Sequence, residues 1–224
     1  MTLPEFDVAP YRLSGLVIGC LMNHAPALAA LGEAALAAPY KGRPQAPVLY
    51  VKPRNTLAAD GAVIQVPGGV AELEVGAALG LVIGRTACRV SAADALQHVA
   101  GGIIVADISV PHDSFYRPSV RLKARDGFCP LGSRVVPLTD PDALAVRVYV
   151  DDHLVHATDT GQRIRNAASL VSEVSDFMTL NAGDILMLGV SFGAPRVRPG
   201  QRAAIEIDGL GRLQMSFVHE RVSA

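Results

Sequence analysis

The sequence predicts a β-rich α+β fold, and three observations carry that prediction. Apolar residues fall mostly into short runs bounded by Gly, Pro, Asn or Asp, the pattern of strands and turns. Only two stretches, from Pro26 to Ala38 and from Asn166 onward, carry a sustained helical pattern, and a third, after Ser91, is short. Strands and helices do not alternate regularly, which argues against a doubly wound α/β sheet.

Taken in order, residues 15–22 (GLVIGCLM) form a short buried strand. The Ala-rich stretch 26–38 forms a helix with Pro26 in its first turn, ended by Pro39, which has no N–H to donate. Residues 48–51 are a short strand leading into Lys52-Pro53-Arg54-Asn55. Residues 79–83 are an apolar strand stopped by Gly84. Ser91 to Asp94 is a capping-box variant opening a short helix to about Val99, with Gly101-Gly102 closing it. Residues 103–106 are a buried strand ending at Asp107. Residues 145–150 and 153–156 flank Asp151-Asp152 as a β-hairpin. Asn166 caps a helix whose apolar positions are Ala167, Leu170, Val171, Val174, Phe177 and Met178. The strand 185–188 follows, and strands 203–207 and 213–218 flank the Asp208-Gly209 turn. No internal repeat or Ser-rich linker divides the chain, so one domain is expected over residues 1–224, with 1–14 read as an N-terminal extension.

Composition narrows the function classes. Half of the 224 residues are hydrophobic and only 18% are charged, with a mean hydropathy of +0.31, which excludes a disordered chain. No stretch spans a membrane: residues 99–110, among the most apolar, fall short of the roughly 18 to 20 residues required and carry Asp107. With 20 basic and 21 acidic residues the net charge is −1, and no basic patch argues for nucleic acid. The chain has no Trp, five Tyr and six Phe, so Ala, Val and Leu fill its core. So little charge favours a homo-oligomer, or a chain that buries a face against a partner. Cys20, Cys88 and Cys129 form no CxxC or Cys/His pattern, and the N-terminus carries no signal-like leader; reduced, mostly buried thiols and a cytoplasmic location are expected.

Chemistry concentrates around residues 101–132. A carboxylate at the end of an apolar strand, as Asp107 is, must be paired or must ligate something, because its burial is otherwise costly. An ion pair and a hard-cation site both satisfy that demand. Lys123 stands out because lysine occurs only at positions 41, 52 and 123, against 17 arginines. It reads either as a solvated loop lysine or as a point charge for an anionic substrate or enolate oxygen. Glu72 and Glu74 share one face of a strand, a weak metal-pair pattern. The six histidines (24, 98, 112, 153, 156 and 219) show no metal-ligand spacing and read mostly as surface or core residues. No nucleophile elbow, P-loop or dinucleotide fingerprint is present.

Several segments together resemble the fumarylacetoacetate hydrolase family: Gly19 to His24, Lys52-Pro53, Leu81 to Gly84, Gly101 to Ser109, Lys123 to Gly132 and Thr179 to Gly189. The resemblance implies a mixed β-sandwich or roll with a few short helices. It also implies a site in which two Glu and one Asp bind Mg²⁺ or Mn²⁺, which chelates a 2-oxo acid, with a Lys in a KxxD segment and a His–Glu pair assisting. Asp107 matches the third ligand, with Ala106 in place of Asn. Lys123 and Asp126 match KxxD. Counted back from Val82-Ile83-Gly84, however, the two Glu positions fall on Gly76 and Ala78, which leaves Glu72 and Glu74 out of the match. The family's catalytic His falls near Ala27, its Asn-Tyr becomes Asn23-His24, its late Gly-Thr-Pro becomes Gly189-Val190-Ser191, and the Arg of SARD becomes Pro111.

The segments at 107–111, 114–118 and 125–130 are similar to one branch of that family, the isomerase/decarboxylases of 4-hydroxyphenylacetate (homoprotocatechuate) catabolism, whose chains carry the fold in two tandem copies. The resemblance therefore implies decarboxylation of 5-oxopent-3-ene-1,2,5-tricarboxylate and isomerisation of its 2-hydroxyhepta-2,4-dienedioate product. Lys123 is then the catalytic candidate and Lys52, Arg54, Arg117 and Arg125 the candidate substrate-binding cations. The incomplete ligand set implies either pairing with a metal-complete second subunit or a non-catalytic scaffold half. A stand-alone C–C hydrolase or oxo-acid decarboxylase is the third reading.

Overall fold

A computed structural model describes residues 12–112 and 119–220. The chain runs through β1 (Val17–Leu21), α1 (Ala25–Leu31), β2 (Val48–Lys52), β3 (Leu57–Ala58) and β4 (Ala62–Val66) to its two longest strands, β5 (Leu73–Ile83) and β6 (Val99–Ser109). Then come α2 (Val120–Lys123), β7 (Cys129–Pro130), β8 (Ala145–Val150), β9 (His153–Asp159) and α3 (Ala167–Phe177). The chain closes with β10 (Ile185–Met187), β11 (Arg196–Val197), β12 (Arg202–Ile207) and β13 (Gly211–His219). This is the β-rich α+β architecture expected, with two main mixed sheets and few, short helices.

The antiparallel β5–β6 pair is the spine, because β5 buries both faces. Successive side chains alternate across a strand. Leu73, Val75, Ala77, Leu79, Leu81 and Ile83 face a large core against the sheet β4-β13-β12-β8-β9 and helix α3. Ala78 and Val82 face a second core with Val17, Ile185, Leu57 and Val105. A strand buried on both sides reads as an unbroken apolar run, which is why residues 79–83 stood out in the sequence.

The first sheet runs β6-β5-β10-β1-β2. The edge of β5 away from β6 is shared: β10 pairs with Gly80–Val82 and β11 with Leu73 and Glu74. Between these pairings residues 188–195 leave the sheet, tethered by the bonds from Leu188 N–H to Leu79 O and from Val75 N–H to Pro195 O. The sheet also curls so far that a side chain on β2, at one edge, meets one on β6, at the other. The curl and the gap together make a hollow.

Local signals held where they were strong. Asp151 and Asp152 take positive φ (48° and 65°), the two-residue turn that matches strand twist, and β8 pairs with β9 as a hairpin. Asn166 accepts from the Ser169 N–H at 2.8 Å and caps α3. Two expectations are corrected. The helix over 26–38 ends as an α-helix at Leu31, followed by one 3₁₀ turn over Gly32–Ala35; no residue of α1 is fully buried, so little packing extends it. The Ser91–Asp94 box opens only the 3₁₀ turn Ala95–His98, and Gly101-Gly102 lie inside β6 rather than closing a helix. A Cβ on Gly101 would sit 2.3 Å from the Val136 carbonyl oxygen, so this glycine admits a close backbone approach. Among the described residues no helix is long and apolar enough to cross a membrane.

Candidate active site

The hollow is a cavity of about 500 Å³ walled by β1, α1 (Ala27, Ala30 and Leu31), β2, β5, β6, the end of α2 and the segment 190–194. Its deepest polar feature is Asp107. The register of β5 and β6 places Asp107 directly opposite Gly76, with Glu74 opposite Ser109 and Ala78 opposite Val105. Asp107 is thus inside a strand rather than at its end.

Three groups converge on the Asp107 carboxylate. Lys52 Nζ lies 2.7 Å from Oδ1, Lys123 Nζ 2.8 Å from Oδ2, and the Tyr50 hydroxyl donates to Oδ2 at 2.5 Å. The Asp107 side chain is only 1% exposed. Burial alone would raise its pKa, but Lys123 and then Lys52 overcome this and hold the carboxyl well below the usual carboxylate range. Burial and the Asp107 charge push the Tyr50 phenol well above its ordinary value, so it stays protonated.

The two lysines differ in what else they touch. Lys52, at the end of β2 and wholly buried, also donates to the carbonyls of Ile108 (2.8 Å), Lys123 (2.9 Å) and Phe128 (2.9 Å). Three N–H groups face four acceptors, so Lys52 has nothing left to offer a ligand. Lys123 closes α2, whose first turn is held by the Leu122 and Lys123 N–H groups on the Ser119 carbonyl. Its ammonium contacts Asp107, lies 5.1 Å from the Tyr50 ring centroid and faces the cavity. With Lys52 neutralising Asp107, Lys123 leaves one unbalanced positive charge in the wall.

Small residues make this arrangement possible. Gly19 lies opposite Tyr50 across β1 and β2, and a Cβ there would fall 2.0 Å from the phenol ring. A Cβ on Gly76 would fall 2.7 and 2.8 Å from the two Val190 methyls. Val190 therefore occupies the space beside Asp107 that a side chain at position 76 would need.

Of the remaining charged candidates that are described, Glu74 lines the cavity and the others lie outside it. Arg54 is exposed, with its guanidinium 3.4 Å from the Ser14 carbonyl, and Arg125 is half-buried; neither lines the cavity. Arg117 lies outside the described residues. Asp126 accepts from the Asn55 amide at 2.7 Å and so braces the loop after Lys123. Glu72 and Glu74 pair with Arg196 at the rim (3.0 and 3.4 Å). Ala78 is buried in the second core. Tyr50 lines the cavity and escaped the sequence reading; Ser109, Val190 and Ser191 also line it and were marked only as parts of resembling segments, with no role. Tyr50 had a usable signal: it stands two residues before Lys52, so both point to one face of a strand.

These residues do not fit a resident divalent ion. Mg²⁺ and Mn²⁺ take several hard oxygen ligands. Here both Asp107 oxygens lie against ammonium groups (Oδ1 in ion contact with Lys52 but without a hydrogen bond), position 76 offers no ligand, and Val190 fills the space beside it. Among the described residues no cluster of three or more His, Cys, Asp or Glu side chains is placed to hold a metal.

Comparison with known proteins assigns the class that this curled sheet and its buried Asp–Lys cluster define. The family model of the fumarylacetoacetate (FAA) hydrolase C-terminal domain matches residues 17–218, and the chain belongs to this enzyme family. Among relatives, it is 37% identical over 209 residues to the 4-hydroxyphenylacetate degradation bifunctional isomerase/decarboxylase of Escherichia coli, covering 93% of this chain and 48% of that protein. The chain thus spans about half the length of that relative. The 5-carboxymethyl-2-hydroxymuconate delta-isomerase of Mycobacterium smegmatis superposes with a TM-score of 0.81 at 26% identity, covering 95% of this chain and 82% of that one. The same fold occurs in a fumarylpyruvate hydrolase from Pseudomonas aeruginosa solved with Mn²⁺ and pyruvate (TM-score 0.78, 23% identity, covering 98% and 96%).

Proposed function

We propose that the chain is a subunit of an isomerase/decarboxylase of aromatic catabolism and that its cavity holds a conjugated 2-oxo carboxylate against Lys123. The observation that carries this reading is the Lys52–Asp107–Lys123 cluster, in which one lysine is fully satisfied and the other presents its remaining N–H groups to the cavity. Loss of CO₂ from an oxopentene tricarboxylate leaves a dienolate, and a fixed cation beside the developing oxyanion lowers that barrier. Asp107 and Lys52 hold Lys123 in place so that little reorganisation accompanies the charge shift. The Tyr50 hydroxyl, locked on Asp107, keeps the carboxylate from turning toward the substrate.

The substrates fitting this reading are 5-oxopent-3-ene-1,2,5-tricarboxylate and 2-hydroxyhepta-2,4-dienedioate. Because the curated isomerase/decarboxylase is about twice as long, we also propose that the chain works with a second subunit of the same fold that carries the carboxylate set missing here. The test is to purify the chain alone and with such a partner and to follow the ultraviolet absorbance of the conjugated oxo acid. The reading predicts turnover that Lys123→Met abolishes in the pair. Full activity of the pair with Lys123→Met would instead make this chain a scaffold.

A further inference from the structure

We propose that Lys123 acts as a covalent catalyst, condensing with the 2-oxo group of the substrate to form an imine that serves as the electron sink. This rests on the reading that the cavity takes a 2-oxo acid, and goes beyond it by naming a bond.

A site that removes CO₂ next to a conjugated carbonyl needs somewhere for the electron pair to go, and a metal, a bare cation or an iminium nitrogen can each accept it. The donor set at Asp107 does not suit a metal. A primary amine condenses with a carbonyl, and the chain has three lysines. Lys41 is exposed and outside the cavity, and Lys52 is wholly buried with all its N–H groups engaged. Lys123 alone of the three lines the cavity with N–H groups unspent. Its surroundings are those an imine-forming amine needs. A carboxylate 2.8 Å away holds it at the wall, a second ammonium shares that carboxylate, and a phenol donates to the same oxygen as Lys123. Cys20 also lines the wall, and burial pushes its thiol up to about 11, so it stays protonated and does not compete for the carbonyl.

The steps balance. The Lys123 ammonium and the substrate carbonyl give an iminium and one water, the two protons that the nitrogen loses leaving with the departing oxygen. The pair of the breaking C–CO₂ bond passes through the conjugated double bond to the iminium nitrogen, leaving CO₂ and a neutral dienamine. Protonation of a carbon restores the iminium with the double bond shifted, and water hydrolyses it to product and free Lys123.

The experiment uses pyruvate as the probe. The full chain is incubated with pyruvate and borohydride, and the product is read by intact mass and peptide mapping. The proposal expects one reduced pyruvate adduct per chain, on the peptide holding Lys123. It is unchanged in Lys41→Arg and lost in Lys123→Arg, whose folding is checked by circular dichroism. An adduct only on Lys41 or the N-terminal amine, or equal trapping in Lys123→Arg, overturns it. Turnover of the oxo acid that survives substrate plus borohydride also overturns the imine, while leaving the cavity reading intact. Absence of turnover, of trapping and of pyruvate binding by calorimetry overturns both.

Discussion

Two carboxylate–cation clusters lie close together on the β5–β6 pair, one dry and one wet. At the cavity floor, Asp107 meets Lys52 and Lys123 with side chains 1%, 0% and 9% exposed. At the rim, Glu72 and Glu74 meet Arg196, whose side chain is 50% exposed. The distances are alike, but water screens the rim pairs and leaves the floor charges without an alternative partner. A buried charge holds its neighbours in place because losing one partner strands the other. Exposed pairs impose no such demand, so the rim can change while the floor cannot.

The largest break in that contrast comes from Asp107→Ala. It strands two ammonium groups in the core and is expected to cost about 3–5 kcal/mol in urea unfolding. Asp107 also makes the floor sensitive to acid. Its folded pKa is depressed, so its contribution is complete above the unfolded carboxylate value and is lost as pH falls toward the folded one. The stability difference between wild type and Asp107→Asn is therefore expected to be flat above about pH 5 and to shrink below about pH 4. A rising difference in acid would mean that the lysines do not hold this carboxylate. Next comes Gly19→Val, which drives side-chain atoms into the Tyr50 ring and is expected to cost about 1–3 kcal/mol. Thermal melting measures it.

Lys123→Met separates function from stability. Asp107 keeps Lys52 and Tyr50, so the stability loss is expected near 1 kcal/mol, yet turnover should fall by about a hundredfold or more. The smallest effect belongs to the rim: Arg196→Ala should leave the unfolding midpoint where it is, and a clear shift would remove the wet–dry distinction.

What could be read from the sequence was what lies close along the chain. The β8–β9 turn and the Asn166 cap are local, and they appear as expected. The α1 stretch misled because alanine content reports propensity, while only the first two turns find partial cover and none of their residues is fully buried. Asp107, Lys52 and Lys123 stood out singly, but their meeting at one carboxylate depends on the sheet's curl, which no short window encodes. Gly76 was singled out by resemblance alone; the register then placed it opposite Asp107. Val190 was marked only as part of the Gly189-Val190-Ser191 segment; its contact with Gly76 depends on how residues 188–195 run between β10 and β11.

The Gly76–Val190 contact also bears on how such a site can evolve. A glutamate at position 76 would collide with Val190, and shrinking Val190 first would leave a void beside the glycine, a loss of packing with no compensating ligand. Either single step is worse than the present pair. A carboxylate at position 76 is therefore out of reach of any single favourable substitution in this chain, held out by an ordinary valine.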